Sequence, residues 1–346
     1  MLNSAKHRLL IPIAILSAVF LISWFYGASD ADTASLVVYC AHDSVFAESI
    51  IRTFEKQTGI RVHVRFDEEA NKSLGLTNLL IAEKGQPRCD VFWNNQTLGT
   101  IRLKQQGILA PCDSAVFARI PSSFKDPDHQ WAGFAARLRV YLVNTDRMNA
   151  TEAAIETSLQ ADSLSDAAIA VPLFGTTLSH YSVLCDEIGL ERLKAWHQSL
   201  RKRGIREARG NGAVKDLVAE GACRFGFTDS DDAYAAIDAG KPVQLLPVRL
   251  PSGKTICLPN SVAMIRGCRH PEAAERFIRF LLSEEVELML ARSASRQIPL
   301  GEIEITRLPP DVQQLAQWAA EGVSLEGAAR HDKEVLEWLS QEYVGK

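Results

Sequence analysis

A regular alternation of strand-like and helix-like segments begins at residue 35 and limits the fold more than any other feature of the sequence. Short runs rich in β-branched residues predict strands, and the segments between them place apolar residues at helical spacing. The strands are predicted over 35–41, 60–66 and 89–94, and the helices over 44–59, 71–86 and 97–107. This order is typical of a parallel, doubly wound sheet, so the predicted fold class is α/β.

A second α/β series follows the apolar segment 132–146, which predicts a long strand that crosses from one lobe to another. Further strands are predicted over 168–174, 223–228 and 258–267, and further helices after Thr177 and over 212–221, 231–240, 270–294 and 309–343. We therefore expect two doubly wound lobes with a ligand cleft between them. Lobe 1 is predicted to comprise 35–136 and 261–308, lobe 2 to comprise 137–260 and 309–346, and the hinges to lie near 137–143 and 258–263.

The N-terminus has the layout of a secretory signal. Three basic residues at 6–8 precede an uncharged apolar run over 9–25, and a small polar stretch follows. Ser29 and Ala31 would occupy the −3 and −1 positions of a cut after residue 31, which makes 1–31 a signal peptide. An uncleaved membrane anchor is the alternative, because the run is almost long enough to span a bilayer. Either way, the sequence predicts a periplasmic or other extracytoplasmic protein.

Charge and cysteine content exclude some classes of function. The net charge of −4 and the pI of about 6.1 give no support for nucleic-acid binding, which usually needs a basic face. None of the seven cysteines forms a C-x-x-C pair, so the sequence indicates neither a zinc motif nor a redox motif. One or two disulfides in an oxidising compartment, or small buried hydrophobes, are the open interpretations of these cysteines.

Acidic residues follow two predicted strands. Asp229, Asp231 and Asp232 crowd the segment FTDSDDAY after the strand over 223–228, and Asp67, followed by two glutamates, ends an earlier strand. Helix capping and the helix dipole explain one or two such acids. The alternative is a cation site, because carboxylates are hard oxygen donors that suit a hard metal ion or an ammonium group.

Other residues favour an anion. Thr176 and Thr177 follow a predicted strand and open a helix, where hydroxyl groups and unpaired backbone amides form a natural anion site. Arg137 and Arg139 lie two apart on the crossing strand and therefore point to the same face. Helix capping and a structural salt bridge are the respective alternatives. Trp93, at the end of a predicted strand, is interpreted as a core residue rather than as a cation–π partner of a ligand.

Several long segments together resemble the type 2 periplasmic solute-binding proteins of ABC importers, with the ferric-iron-binding family as the nearest branch. The segments are VVYCAHDSVFAESIIRTFEKQTGIRV, CDVFWNNQTLGTIRLKQQGILAP, GFAARLRVYLVNT and HPEAAERFIRFLLS. The resemblance covers nearly all of the chain after the signal. It implies a monomer of two lobes that closes on a small ligand and hands it to a membrane permease and its ATPase.

The resemblance also implies a ligand set, with two departures. Ferric members use a histidine near the first strand, which corresponds to His42, although one position earlier than usual. Their glutamate falls on Asn95, and their adjacent tyrosine pair falls on Asp231 and Asp232. His42, Asp231 and Asp232 are therefore the predicted ligands of a ferric ion accompanied by a synergistic anion. The complete predicted ligand-binding set is His42, Asp67, Asn95, Arg137, Thr176, Thr177, Asp229, Asp231 and Asp232.

Other functions remain open at this point. A cleft with acids on one side and anion donors on the other also suits an organic amine or a zwitterion, such as an aminophosphonate or a polyamine. A ligand-sensing module that feeds a receptor is a further alternative. An enzyme is the least favoured, because the sequence has no G-x-S-x-G, H-E-x-x-H or P-loop motif.

Overall fold

The computed structural model describes residues 35–67 and 73–344. The strands within these residues are β1 (Ser35–Cys40), β2 (Arg61–Phe66), β3 (Val91–Asn94), β4 (Leu109–Ala110), β5 (Trp131–Asn144), β6 (Ala167–Ala170), β7 (Arg206–Ala208), β8 (Phe225–Asp229), β9 (Val243–Pro247) and β10 (Cys257–Ile265). The helices are α1 (Ser44–Thr58), α2 (Leu74–Ala82), α3 (Leu98–Gln105), α4 (Glu152–Gln160), α5 (Gly175–Ile188), α6 (Leu190–Lys202), α7 (Asn211–Ala219), α8 (Ser230–Asp238), α9 (Pro271–Leu281), α10 (Glu284–Arg292), α11 (Pro310–Ala319) and α12 (Leu325–Val344).

The described strands form one continuous sheet with a parallel unit at each end. The strand order is β2-β1-β3-β10-β5-β8-β6-β7, with β4 on β10 and β9 on β5. Strand β1 pairs in parallel with β2 and β3, and β6 pairs in parallel with β7 and β8. The central strands β10 and β5 are antiparallel. This arrangement is the expected α/β fold of two lobes, each built around its own parallel unit.

Strand β5 links the two units. Its first half, 131–138, pairs with β10, and its second half, 139–144, pairs with β8 and β9. The strand is irregular near Ala135, which has a positive φ of 43°, and the pairing with β10 shifts between Pro259 and Asn260. The predicted crossing strand is thereby confirmed, and it brings Arg137 and Arg139 to the junction of the lobes.

Each unit has an apolar core. In lobe 1, α1 and α9 cover the sheet, and Phe54 meets Phe277 edge-to-face with 4.9 Å between ring centroids. In lobe 2, α5, α6 and α12 bury one face of the sheet around Tyr181 and Phe225. The other face of that sheet is covered by α7 and α8. Because both faces of each sheet are buried, the ends of the strands are left to bind a ligand.

Glycines end two of the helices, at Gly59 as the sequence predicts and at Gly189 where a continuous helix was expected. Gly59 follows α1 in the left-handed conformation, with φ of 72°, and its amide donates to the Glu55 carbonyl oxygen. Gly189, with φ of 83°, separates α5 from α6, so the long helix expected after Thr177 is two helices and begins at Gly175. The segment 270–294, predicted as one or two helices, forms two, because Ser283 accepts a hydrogen bond from the Val286 amide and caps α10.

Strands β4, β7 and β9 were not predicted from the sequence. Strands β4 and β7 have only two and three residues, too few for a period-2 pattern.

The predicted signal or anchor over 1–31, and Glu68 and Glu69, lie outside the described residues. Within the described ranges, no helix is both long and apolar enough to cross a membrane.

The cysteines are thiols in this structure. Six of them are buried, and Cys268 is partly buried. Their burial agrees with the interpretation as small buried hydrophobes, and the alternative of one or two disulfides is not seen in this structure.

Candidate ligand-binding site

A cavity of about 120 Å³ lies at the carboxyl ends of the lobe 2 strands. Segments that follow β6, β7 and β8 form most of its wall, and β5 contributes Arg137. Lobe 1 contributes Asp43, which follows β1, and Asn95, which follows β3. Larger grooves of about 670 and 640 Å³ lie away from these strand ends. Because ligands of α/β sheets bind outside the carboxyl ends of strands, the small polar cavity is the candidate site.

Asp229 is the centre of a buried hydrogen-bonded cluster. The Arg139 guanidinium donates to its Oδ1 over 2.6 Å, and both side chains are almost fully buried. Its Oδ2 accepts from the Thr176 hydroxyl at 2.5 Å and from the Asn211 amide at 3.0 Å. Thr177 also donates to Asn211, at 3.1 Å. Asp229 is therefore neutralised by an arginine and well supplied with donors before any ligand arrives.

Arg137 has looser contacts. Its Nη1 lies 3.5 Å from Asp231 Oδ2, and its Nη2 donates to Asn260 Oδ1 at 3.0 Å. The His42 ring packs behind the guanidinium, with Nδ1 3.4 Å from Nη2. The Arg137 Nε is buried and has no hydrogen-bond partner among the described residues. Arg137 thus lines the cavity, and its ion pair with Asp231 is long.

Asp231 and Asp232 lie in the first turn of α8 and line the cavity. Burial raises the pKa of Asp231, although the Arg137 guanidinium partly offsets this effect. Burial and the adjacent carboxylates, first that of Asp231, raise the pKa of Asp232 well above the usual range. A Thr228 hydroxyl donates to Asp232 at 3.2 Å. Unlike Asp229, this pair carries negative charge that the surrounding protein compensates only in part.

Three helices direct their N-termini at the cavity. The first residues of α5, α7 and α8 all line it. The first amide groups of a helix have no acceptor within the helix, and the helix dipole adds partial positive charge there. Gly175, Gly210 and Gly212 lie in the same part of the wall and add no side chains of their own. These backbone groups can receive an anion beside the carboxylates.

Asn95 completes the lobe 1 wall. Its side chain is only 3 % exposed and lines the cavity. Its Oδ1 atom is buried and has no hydrogen-bond partner among the described residues. Buried polar atoms are normally satisfied, so this amide oxygen is available to a donor or a cation that enters the cavity.

The structure brings most of the predicted residues together and separates two of them. Asn95, Arg137, Thr176, Thr177, Asp229, Asp231 and Asp232 line the cavity. His42 does not: it packs against Trp93 and Arg137, and a cationic guanidinium beside its ring disfavours metal coordination. Asp67 is also absent from the wall and instead accepts a hydrogen bond from the Leu76 amide in the first turn of α2. For Asp67, the helix-capping alternative fits its position.

Two aromatic residues lie in the core. Trp93 is fully buried and contacts Phe134 with 5.8 Å between ring centroids, as its interpretation as a core residue requires. Tyr181 is fully buried, and its hydroxyl is bonded to His197 Nδ1 at 2.9 Å. It faces the core of lobe 2 rather than the cavity, so it offers no phenolate to a ligand in this conformation.

Sequence reasoning missed Asp43, Asn211 and Asn260. Asn211 follows the three-residue strand β7, which the sequence pattern does not reveal, so no strand end was expected there. The signal that was available is the Gly-Asn-Gly motif over 210–212, because it opens a helix in the same way as the segment around Thr176.

Architecture and site together define a two-lobed α/β binding protein with a small charged cavity at its strand ends. A family model described as bacterial extracellular solute-binding protein matches residues 36–293. The chain belongs to this family, and it is a binding protein rather than an enzyme.

Individual relatives are more distant. An Fe(3+)-binding periplasmic protein of Serratia marcescens is 26 % identical over 138 residues, which cover 40 % of this chain and only 39 % of the relative. The ferric binding protein of Campylobacter jejuni superposes with a TM-score of 0.78 at 19 % identity, covering 88 % of this chain and 98 % of that one. AfuA of Actinobacillus pleuropneumoniae, solved with fructose-6-phosphate, gives a TM-score of 0.72 at 18 % identity and covers 89 % and 98 %. The structural likenesses establish the fold.

Proposed function

We propose that this protein is the extracytoplasmic solute-binding component of an ABC importer, and that it captures a ferric or similar hard metal ion together with a small anion. It then delivers the ion to a membrane permease with its ATPase. The ferric choice draws support from the Serratia marcescens relative, an Fe(3+)-binding periplasmic protein. The observation that carries the proposal is the partly compensated carboxylate pair of Asp231 and Asp232 at the cavity wall.

The carboxylate oxygens are close enough to share one ion. One oxygen from each of Asp229, Asp231 and Asp232 lies within 4.8 Å of the others. Because Asp229 is already held by Arg139, Thr176 and Asn211, Asp231 and Asp232 are the proposed metal ligands. A cation between them would relieve the repulsion that raises the pKa of Asp232.

The remaining groups supply the anion and another oxygen donor. The helix N-termini at Thr176 and Asn211, together with Arg137, would hold a small anion against the metal. Asn95 offers its unsatisfied amide oxygen from lobe 1, in the position where ferric members have a glutamate. His42 is proposed to orient Arg137, because its ring nitrogen Nδ1 lies 3.4 Å from the guanidinium.

A second candidate is an organic zwitterion, such as an aminophosphonate. The ion pair between Arg137 and Asp231 at the cavity wall favours it, because that wall offers both signs of charge within 3.5 Å. An ammonium group would bind at Asp231 and Asp232, and an anionic group at the helix N-termini. The fold accommodates an organic anion in a relative, since AfuA was solved with fructose-6-phosphate.

Titration of metal-stripped protein tests the proposal. Ferric citrate, other metal salts and aminophosphonates are added to wild type, to Asp231→Asn/Asp232→Asn and to the exposed control Asp216→Asn. We expect ferric binding by wild type and the control, and a loss of at least about 100-fold in the double variant, equal to about 2.7 kcal/mol. Equal affinity in the double variant would reduce the two acids to helix caps. Binding of aminophosphonates and no metal would select the second candidate.

Ligand binding is also proposed to close the two lobes about the crossings near 137–143 and 258–263. Strand β5 runs through the crossing near 137–143, and strand β10 runs through the crossing near 258–263. A small change in the twist of these two strands would move one parallel unit relative to the other. Small-angle scattering should show a smaller radius of gyration at saturating ligand. An unchanged radius would indicate a cleft that does not close.

A further inference from the structure

A second group of metal-ligating side chains lies in lobe 2, apart from the residues that line the cavity. Cys185 is in the last turn of α5, and His331 and Glu334 are three residues apart on α12. One ligand atom from each lies within 4.8 Å of the other two. We propose that Cys185, His331 and Glu334 form a second cation site, which binds a borderline divalent ion such as Zn²⁺.

The distances require only a small rearrangement around an ion. Glu334 Oε1 is 2.5 Å from His331 Nδ1 and 3.8 Å from Cys185 Sγ, so these atoms already face one another. Zinc bond lengths imply separations of about 3.3–3.8 Å between ligand atoms of a tetrahedral site. The ion therefore replaces the hydrogen bond between His331 and Glu334 by moving these two side chains about 1 Å apart.

Asp186 provides the support that zinc-bound histidines usually have. Its Oδ1 lies 3.6 Å from His331 Nε2, on the side of the ring opposite to Glu334. A carboxylate in this place accepts the second ring N–H and holds the imidazole with Nδ1 directed at the metal. Arg330, 3.8 Å from the same oxygen, balances the charge of Asp186.

The donor set and its exposure select the kind of ion. Thiolate, imidazole and carboxylate together suit Zn²⁺, whereas ferric iron prefers hard oxygen donors. Cys185 is 1 % exposed and provides a fixed ligand, while the His331 and Glu334 side chains are 33 % and 48 % exposed, so an ion can enter from solvent. Three protein ligands leave the fourth position to water. The bound ion would fasten α12 to α5.

A titration with Co²⁺, a spectroscopic substitute for Zn²⁺, tests this site in the full-length protein under a thiol-free reductant. We expect a thiolate-to-cobalt charge-transfer band in wild type and in the control Glu337→Gln, which is exposed one turn further along α12. The band should be absent from Cys185→Ser. Zn²⁺ should raise the melting temperature of wild type, and its affinity should fall at least about 10-fold in Glu334→Gln and in Asp186→Asn.

The cobalt titration tests the site at Cys185, His331 and Glu334 independently of ligand binding in the cavity. Asp231→Asn/Asp232→Asn should keep the full cobalt band, so failure of the ferric proposal leaves this one standing. Glu334 is largely exposed, so its substitution reports on ligation without threatening the fold. Wild type without the band, a band that persists in Cys185→Ser, or unchanged zinc affinity in Glu334→Gln would each overturn the proposal.

Discussion

Two arginines of strand β5, Arg137 and Arg139, each pair with an aspartate from β8 or α8, and the two pairs differ in their distance and in their further contacts. Arg139 and Asp229 are 2.6 Å apart, almost fully buried, and further bonded to Thr176 and Asn211. Arg137 and Asp231 are 3.5 Å apart at the cavity wall. The difference teaches that residue type and strand face do not define a ligand contact. What separates the two pairs is how many hydrogen-bond donors the protein already supplies to each carboxylate: Asp229 accepts from three side chains, and Asp231 has only a long ion pair with Arg137 and the Asp232 amide.

Breaking the pair of Arg139 and Asp229 should have the largest effect on the free energy of unfolding. Asp229→Asn leaves the Arg139 guanidinium buried without a counter-charge, which typically costs about 3–5 kcal/mol. Urea unfolding should show this loss, and Asp231→Asn should lose much less. Removing both charges of this pair in Asp229→Asn/Arg139→Met should recover part of the lost free energy of unfolding. Equal losses in the two single variants would remove the distinction between the pairs.

Breaking the pair of Arg137 and Asp231 should instead weaken ligand binding. Arg137→Ala is expected to weaken binding by about 2–5 kcal/mol, as when one partner of a buried charged contact is removed. Calorimetric titration measures the affinity, and a melting curve checks that the variant is folded. Undiminished affinity in a folded variant would assign Arg137 a purely structural role.

Removing the carboxylate of Asp232, which the surrounding protein compensates least, should stabilise the ligand-free protein and weaken ligand binding. Burial and then the neighbouring carboxylates raise the pKa of Asp232, so the folded state binds its proton more tightly than the unfolded state does. The ionised form therefore lowers stability at neutral pH. Asp232→Asn should raise the free energy of unfolding by about 0.5–2 kcal/mol.

The difference in free energy of unfolding between Asp232→Asn and wild type should also depend on pH. As the pH falls through the raised pKa towards the ordinary aspartate range, wild type takes up the proton and the advantage of Asp232→Asn should disappear. Urea unfolding at several pH values measures it. A constant or inverted difference would mean that folding does not raise the pKa of Asp232.

The smallest effect should come from Asp67, the predicted ligand that lies outside the cavity wall. Asp67→Ala removes the acceptor for the Leu76 amide and should cost about 1 kcal/mol, the usual value of a helix cap. Ligand affinity should not change. A clear loss of affinity in the titration would return Asp67 to the ligand set.

The sequence predicts the fold well because periodic apolar spacing determines each helix and strand almost independently of its neighbours. It also brings Asp231, Asp232 and Arg137 to one cleft, because strand ends of parallel units meet at one edge. It does not reveal that Arg139 pairs with Asp229, because this depends on the register between β5 and β8, which places these two residues opposite each other. Nor does it predict that His42 turns away from the cavity.

Native mass spectrometry tests most directly the central claim that Asp231 and Asp232 hold the positive centre of the ligand. The full-length wild type and Asp231→Asn/Asp232→Asn are expressed in a Gram-negative host and recovered from its periplasm under non-denaturing conditions. The account predicts a mass increment of iron with a small anion on wild type and no such increment on the variant. The same ligand on both proteins, or a neutral solute on wild type, would contradict it.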